Sequence, residues 1–148
     1  MKKLLLSTIA FAFVLALQAQ NPVKWTFTAK KIADKTYEVK ISAVPQSPWH
    51  IYSQKTPEGG PMPTKITFTT NPVLKLEGAV KESGELKEKY EEVFDIKVKY
   101  FKGNVDFTQI VKLKSDVKTN ILGTVEFMAC DDEQCLTPTT IPFNISLQ

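Results

Sequence analysis

Apolar residues recur at every second position along most of this chain, a period that suits strands with one buried face and does not suit helices. Trp25, Phe27 and Ala29 alternate with Thr26, Thr28 and Lys30, and Tyr37, Val39 and Ile41 alternate with Glu38, Lys40 and Ser42. The pattern returns in Ile96, Val98, Tyr100, in Val105, Phe107, Gln109, Val111, Leu113, in Val125, Phe127, Ala129, and in Ile141, Phe143, Ile145, Leu147. Turn-forming residues separate these runs: Pro45 and Pro48, Pro57-Glu58-Gly59-Gly60-Pro61, Asn71-Pro72, Gly103-Asn104 and Thr137-Pro138. Roughly seven or more short strands so punctuated predict an all-β chain, an immunoglobulin-like antiparallel β-sandwich. One segment dissents. Between Lys81 and Phe94 the chain is highly charged, and Leu86, Tyr90, Val93 and Phe94 fall at offsets that also admit a short amphipathic helix.

The N-terminus has a different character. Met1-Lys2-Lys3 leads into an apolar run from Leu4 to Leu17 and a small residue at Ala19, the layout of a secretory signal peptide over residues 1–19 with cleavage near Ala19. That run falls short of the roughly 20 residues a spanning helix needs, so the expectation is a soluble periplasmic or secreted protein. No cysteine near the cleavage site offers a lipid anchor. Removing 19 of 148 residues leaves 129, covering 20–148, enough for one domain with its own core. Losing Lys2 and Lys3 takes the formal charge from +3 to about +1, too near neutral to argue for nucleic acid or an anionic membrane. Nothing in the sequence selects an oligomer, a cofactor or a small-molecule substrate, and a monomer is expected.

Chemistry concentrates at the two cysteines, Cys130 and Cys135, which bracket Asp131-Asp132-Glu133-Gln134 between two strand-like runs. Export allows a disulfide to persist, and two cysteines make one intramolecular bridge the default. At the mouth of a hairpin the two Cα atoms would lie about 4.5 to 5.5 Å apart, within reach of a bridge. Such a bridge could be an inert staple. Closing about six residues, however, removes only on the order of 2 kcal/mol of chain entropy, so a staple gains little here, whereas an exchangeable bridge could open without unravelling the core. The thioredoxin-type spacing at a helix start is absent, and Asp131, Asp132 and Glu133 should disfavour a thiolate. Metal binding is a weak alternative, because His50 is the single histidine and Cys-x4-Cys lacks a zinc-knuckle spacing. His50, beside Trp49, has no nucleophile motif to serve and reads as a packed or surface residue.

Three segments carry a family resemblance. Phe127-Met128-Ala129-Cys130-Asp131-Asp132-Glu133-Gln134-Cys135-Leu136-Thr137-Pro138 resembles the active-site segment of the N-terminal (alpha) domain of the bacterial thiol:disulfide interchange protein DsbD. Trp49-His50-Ile51-Tyr52-Ser53 is similar to the aromatic strand beside that family's cysteines, and Glu91-Glu92-Val93-Phe94-Asp95 to its acidic, aromatic cap loop. The resemblance implies an immunoglobulin-like domain that relays electrons between thioredoxin-like redox proteins, with periplasmic disulfide isomerases or cytochrome-maturation proteins among the acceptors. It further implies that Cys135 bonds the partner and Cys130 resolves that bond. Phe94, with Glu91 and Glu92, would cap the sulfurs, Trp49 and Tyr52 would wall the site, and Asp131 and Asp132 would modulate it. The transmembrane and thioredoxin-like domains of the full-length family are not in this sequence, so a separate transmembrane electron carrier is the expected donor. The loop over residues 58–63 has no assigned role.

Overall fold

The computed structural model describes residues 21–147, so the proposed leader and its cleavage site lie outside the described residues. Eleven strands follow in chain order: β1 Val23–Ala33, β2 Thr36–Pro45, β3 His50–Tyr52, β4 Lys65–Phe68, β5 Leu74–Gly84, β6 Lys87–Glu91, β7 Ile96–Phe101, β8 Val105–Leu113, β9 Thr119–Phe127, β10 Ala129–Cys130 and β11 Thr139–Leu147. They pair antiparallel in three sheets, ordered β1-β2-β8-β5, β10-β3-β7-β6 and β11-β9-β4. No helix occurs among the described residues. The all-β antiparallel sandwich expected from the alternation is the observed architecture.

The alternating residues build the core. Val39, Ile41, Phe107, Val111, Val125 and Phe127 are almost wholly buried, and Trp25 and Phe27 close over them from β1. Gln109 occupies an apolar slot in β8, and β5 accommodates it. The register of β5 slips between Glu77 and Lys81, around Gly78 at φ 72°, and the bulge leaves the Glu77 carbonyl free to accept a 2.9 Å hydrogen bond from the Gln109 side chain.

The charged segment that admitted a helix is instead the end of β5 and the whole of β6. Its charges find partners across the sheet: Glu88 faces Lys99 and accepts Lys97 at 2.7 Å and Lys99 at 3.7 Å. Leu86 and Tyr90 stay exposed, so no apolar stripe exists for a helix to bury.

The sheet β10-β3-β7-β6 has two covered faces, which explains why all three residues of β3 are buried. Ile51, Phe101 and Ala129 turn toward the main core. Their neighbours Tyr52, Val98 and Cys130 form a second, smaller apolar cluster with Ile96, Tyr100 and Met128.

Candidate functional site

The strand that begins as β9 changes sheets at Met128 and continues as β10, which pairs with β3 and places Cys130 opposite His50. Past Cys130 the chain turns back and meets itself at Cys135. The Leu136 N–H donates to the Ala129 carbonyl at 2.8 Å and the Asp131 N–H to the Gln134 carbonyl at 2.9 Å, so the two cysteines form a non-hydrogen-bonded antiparallel pair. Such pairs hold their side chains closest. Their Cα atoms are 4.0 Å apart and the sulfurs are bonded.

Asp131 holds the tip of this hairpin together. Its Oδ1 accepts the N–H groups of Glu133 at 2.8 Å and Gln134 at 2.7 Å. Those two amides favour the ionised carboxylate and hold its pKa below the ordinary aspartate value. Asp132 reaches the Lys102 ammonium at 3.6 Å. Two of the three acids expected to burden a thiolate are therefore engaged locally.

The two sulfurs live in unlike surroundings. Cys130 is 1% exposed inside the small cluster, whereas Cys135 is exposed on the returning arm. Cys135 lines a cleft of about 230 Å³ whose floor is the outer face of β3 and β7, His50, Tyr52, Val98 and Tyr100. Lys89, Glu91, Lys102 and the hairpin from Asp131 to Gln134 also line it.

Phe94 stands in the wall of the same cleft. It belongs to the four-residue turn between β6 and β7, where the Phe94 N–H donates to the Glu91 carbonyl at 3.1 Å and the Asp95 N–H to the Glu92 carbonyl at 3.3 Å. Asp95 takes a left-handed backbone at φ 55°, a conformation aspartate tolerates, and accepts the Tyr90 hydroxyl. The Phe94 ring is 46% exposed and Val93 88%. Glu91 lines the cleft and pairs with Lys89 at 3.2 Å. Glu92 is exposed outside it, and Trp49 packs on the main core, so neither belongs to the cleft lining.

Tyr52 and His50 are buried next to each other. Burial, reinforced by Glu91, pushes the Tyr52 phenol up to about 12, so it stays a neutral hydroxyl. His50 Nε2 lies 3.3 Å from that hydroxyl, and its ring packs against Tyr52 and Tyr100 with centroids 5.3 and 4.9 Å apart. Burial lowers the imidazole pKa below its ordinary value, with Lys102 adding to the effect.

Sequence reasoning passed over Tyr100, Lys102 and Pro61, which complete the lining. Pro61 belongs to the loop for which no role was assigned. A Cβ at the adjacent Gly60 would lie 2.5 Å from Ile96 Cδ1 and 3.6 Å from Phe94 Cγ, so this loop packs against the base of the turn that carries Phe94. Among the described residues no three metal-ligating side chains converge.

Comparison with known proteins agrees with this geometry. The family described as thiol:disulfide interchange protein DsbD, N-terminal, matches residues 16–146. Among solved structures the fold is similar to the N-terminal periplasmic domain of ScsB from Proteus mirabilis, with TM-score 0.60 and 16% identity over 88% of this chain and 48% of that one. It is also similar to the reduced DsbD N-terminal domain of Neisseria meningitidis, with TM-score 0.57 and 15% identity over 88% of this chain and 90% of that one. A third similar structure is the complex between the DsbD and PilB N-terminal domains of Neisseria meningitidis, with TM-score 0.54 and 12% identity over 87% of this chain and 86% of that one. The chain thus spans about half the length of the ScsB domain. No curated protein matches the sequence.

Proposed function

The chain belongs to the DsbD N-terminal family, and from that premise we propose that it is a periplasmic thiol-disulfide exchange domain relaying electrons between thioredoxin-like proteins through Cys130 and Cys135. One observation carries the reading: the bridge spans a hairpin tip in a small side cluster, with one sulfur-bearing residue exposed on a cleft and the other buried behind it. A staple needs no such asymmetry. An exchanging pair does, because one sulfur must meet the partner while the second waits within bonding distance.

Cys135, exposed, is the residue that bonds the partner, and Cys130, opposite it at 4.0 Å between Cα atoms, closes the bridge again. The main core shares no sulfur with this site, so opening the bridge leaves the sandwich packed. Phe94 shields the cleft in the uncomplexed domain and yields to a docking partner. The Neisseria complex of a DsbD N-terminal domain with another domain supports a protein as the occupant. A separate transmembrane carrier supplies the electrons, and export by the N-terminal leader puts the domain where it meets that carrier.

The deciding measurement is the midpoint potential of the pair, obtained by equilibrating the folded protein in dithiol buffers and alkylating the free thiols. An exchangeable pair equilibrates under native conditions above about −300 mV. A bridge that opens only at lower potential, or only after denaturation, overturns the relay.

A further inference from the structure

Resting on that reading, we propose that His50 is a catalytic residue of the exchange, the base that takes the Cys130 proton when Cys130 resolves the mixed disulfide. Cys130 is buried, so its thiol cannot pass a proton directly to bulk water, and a thiol is a poor nucleophile until it does. The nearest answer on the sheet is His50. The two residues are register partners on adjacent antiparallel strands, a placement that sets side chains on one face with Cβ atoms about 4.5 to 5.5 Å apart.

The imidazole is equipped for this and for little else. His50 Nε2 and the Tyr52 hydroxyl lie 3.3 Å apart, and the assignment is the tautomer in which Nε2–H donates to that hydroxyl, which makes Nδ1, buried without a hydrogen-bond partner, a bare acceptor. His50 is only 8% exposed, and an unmatched buried nitrogen is a standing cost that a purely packed residue would avoid. The groups around it keep the ring neutral. Burial and the cations Lys102 and Lys89 favour the neutral form, against the opposing carboxylates of Asp132 and Glu91. Asp131, coupled to the ring, spends its oxygen on the hairpin amides. The rings of Tyr52 and Tyr100 pack against it.

Cys135, having given its proton to water, attacks a partner disulfide as thiolate, and the first partner sulfur leaves with the bonding electron pair and takes a proton from water. The Cys130 proton then moves to His50 Nδ1 as the Cys130 sulfur bonds Cys135. The bond between Cys135 and the partner breaks, and the second partner sulfur leaves with its electrons and takes a proton from the imidazolium or from water. Two electrons and two protons leave the cysteine pair, and one disulfide is reduced to two thiols. In reverse, the imidazolium protonates Cys130 as its bond to Cys135 is broken.

The test uses the reduced protein mixed in stopped flow with dithiobis-nitrobenzoate, which releases one coloured thiolate when Cys135 attacks and a second when Cys130 resolves. An ordinary thiol near 8.5 is about 3% ionised at pH 7, so a base that removes this limit is worth up to about thirtyfold. His50→Phe, and His50→Gln as a variant that keeps a polar side chain, should slow the second release about tenfold or more relative to the first at pH 7. The gap should narrow as pH rises, because hydroxide increasingly takes the thiol proton without the imidazole. The unsubstituted protein should also lose the second phase on acidification with an inflection below the ordinary histidine value, absent from both variants. A gap of equal size at every pH, or no gap, overturns the role of His50 and leaves the relay standing. Failure of the unsubstituted protein to release the second thiolate overturns the relay and this assignment together.

Discussion

Replacing Phe94 with alanine measures how firmly the cleft is covered. Phe94 is 46% exposed and lines the cleft, so about half its surface is covered. Full burial of a phenylalanine is worth about 1.5 to 3 kcal/mol, and half of that gives about 0.8 to 1.5 kcal/mol favouring the covered arrangement. At 1.4 kcal/mol per factor of ten, the covered form outweighs the uncovered one by about three- to twelvefold. The turn is thus a weak latch, strong enough to slow chance encounters and weak enough for a docking protein to displace. Phe94→Ala should accelerate reduction of the Cys130–Cys135 bridge by dithiothreitol at pH 7 by about three- to twelvefold, read by acid quenching and thiol counting. Val93→Ala on the same turn, at 88% exposure, should change the rate less than about twofold. An unchanged rate in Phe94→Ala would mean the ring does not cover the bridge. A hundredfold acceleration would mean that the turn is held by far more than one half-buried ring, and the weak-latch reasoning would fail.

Two further outcomes follow from the hairpin and from the buried histidine. Asp131→Ala removes the acceptor for the Glu133 and Gln134 amides, and those amides should lose protection from hydrogen exchange, whereas Asp131→Asn, which keeps an oxygen acceptor, should retain most of it. His50 has a folded pKa below its unfolded value, so the unfolded chain binds the extra proton first; stability falls as pH drops below the ordinary histidine value of 6.5 and levels off once the folded ring is protonated too. Urea denaturation of the oxidised protein between pH 7.5 and 5 should show that slope, flattened in His50→Phe, and a slope of opposite sign would contradict the burial effect.

Strand patterning carried the fold because the physics behind it is local. A residue such as Phe107 or Val125 alternates with polar neighbours since its strand has one core face, and the period says so without any knowledge of the partner strand. Between Lys81 and Phe94 the same logic also admitted a helix, because Leu86, Tyr90, Val93 and Phe94 stand at helical offsets, and only the register that sets Glu88 against Lys99 shows the segment as a sheet. Cys130, Cys135 and the turn bearing Phe94 were legible as segments, yet their convergence on one cleft depends on β3 and β7 lying between them, which is tertiary information.

The residues that went unread share a physical signature. Tyr100 and Phe101 are adjacent and both aromatic, a pair that breaks alternation, and the structure assigns one to each face of a doubly covered sheet. His50, Ile51 and Tyr52 do the same on β3, with Ile51 in the main core and its two neighbours on the cleft. A strand buried on both sides has no polar face left to display. Its outward positions therefore hide among core-like residues, where His50 reads as packing and Tyr52 is picked out by the family resemblance alone. Two successive bulky residues inside an otherwise alternating chain are thus the feature from which this site could have been located. In this fold they mark the sheet whose second face is covered by the sulfur-bearing hairpin and the Phe94 turn.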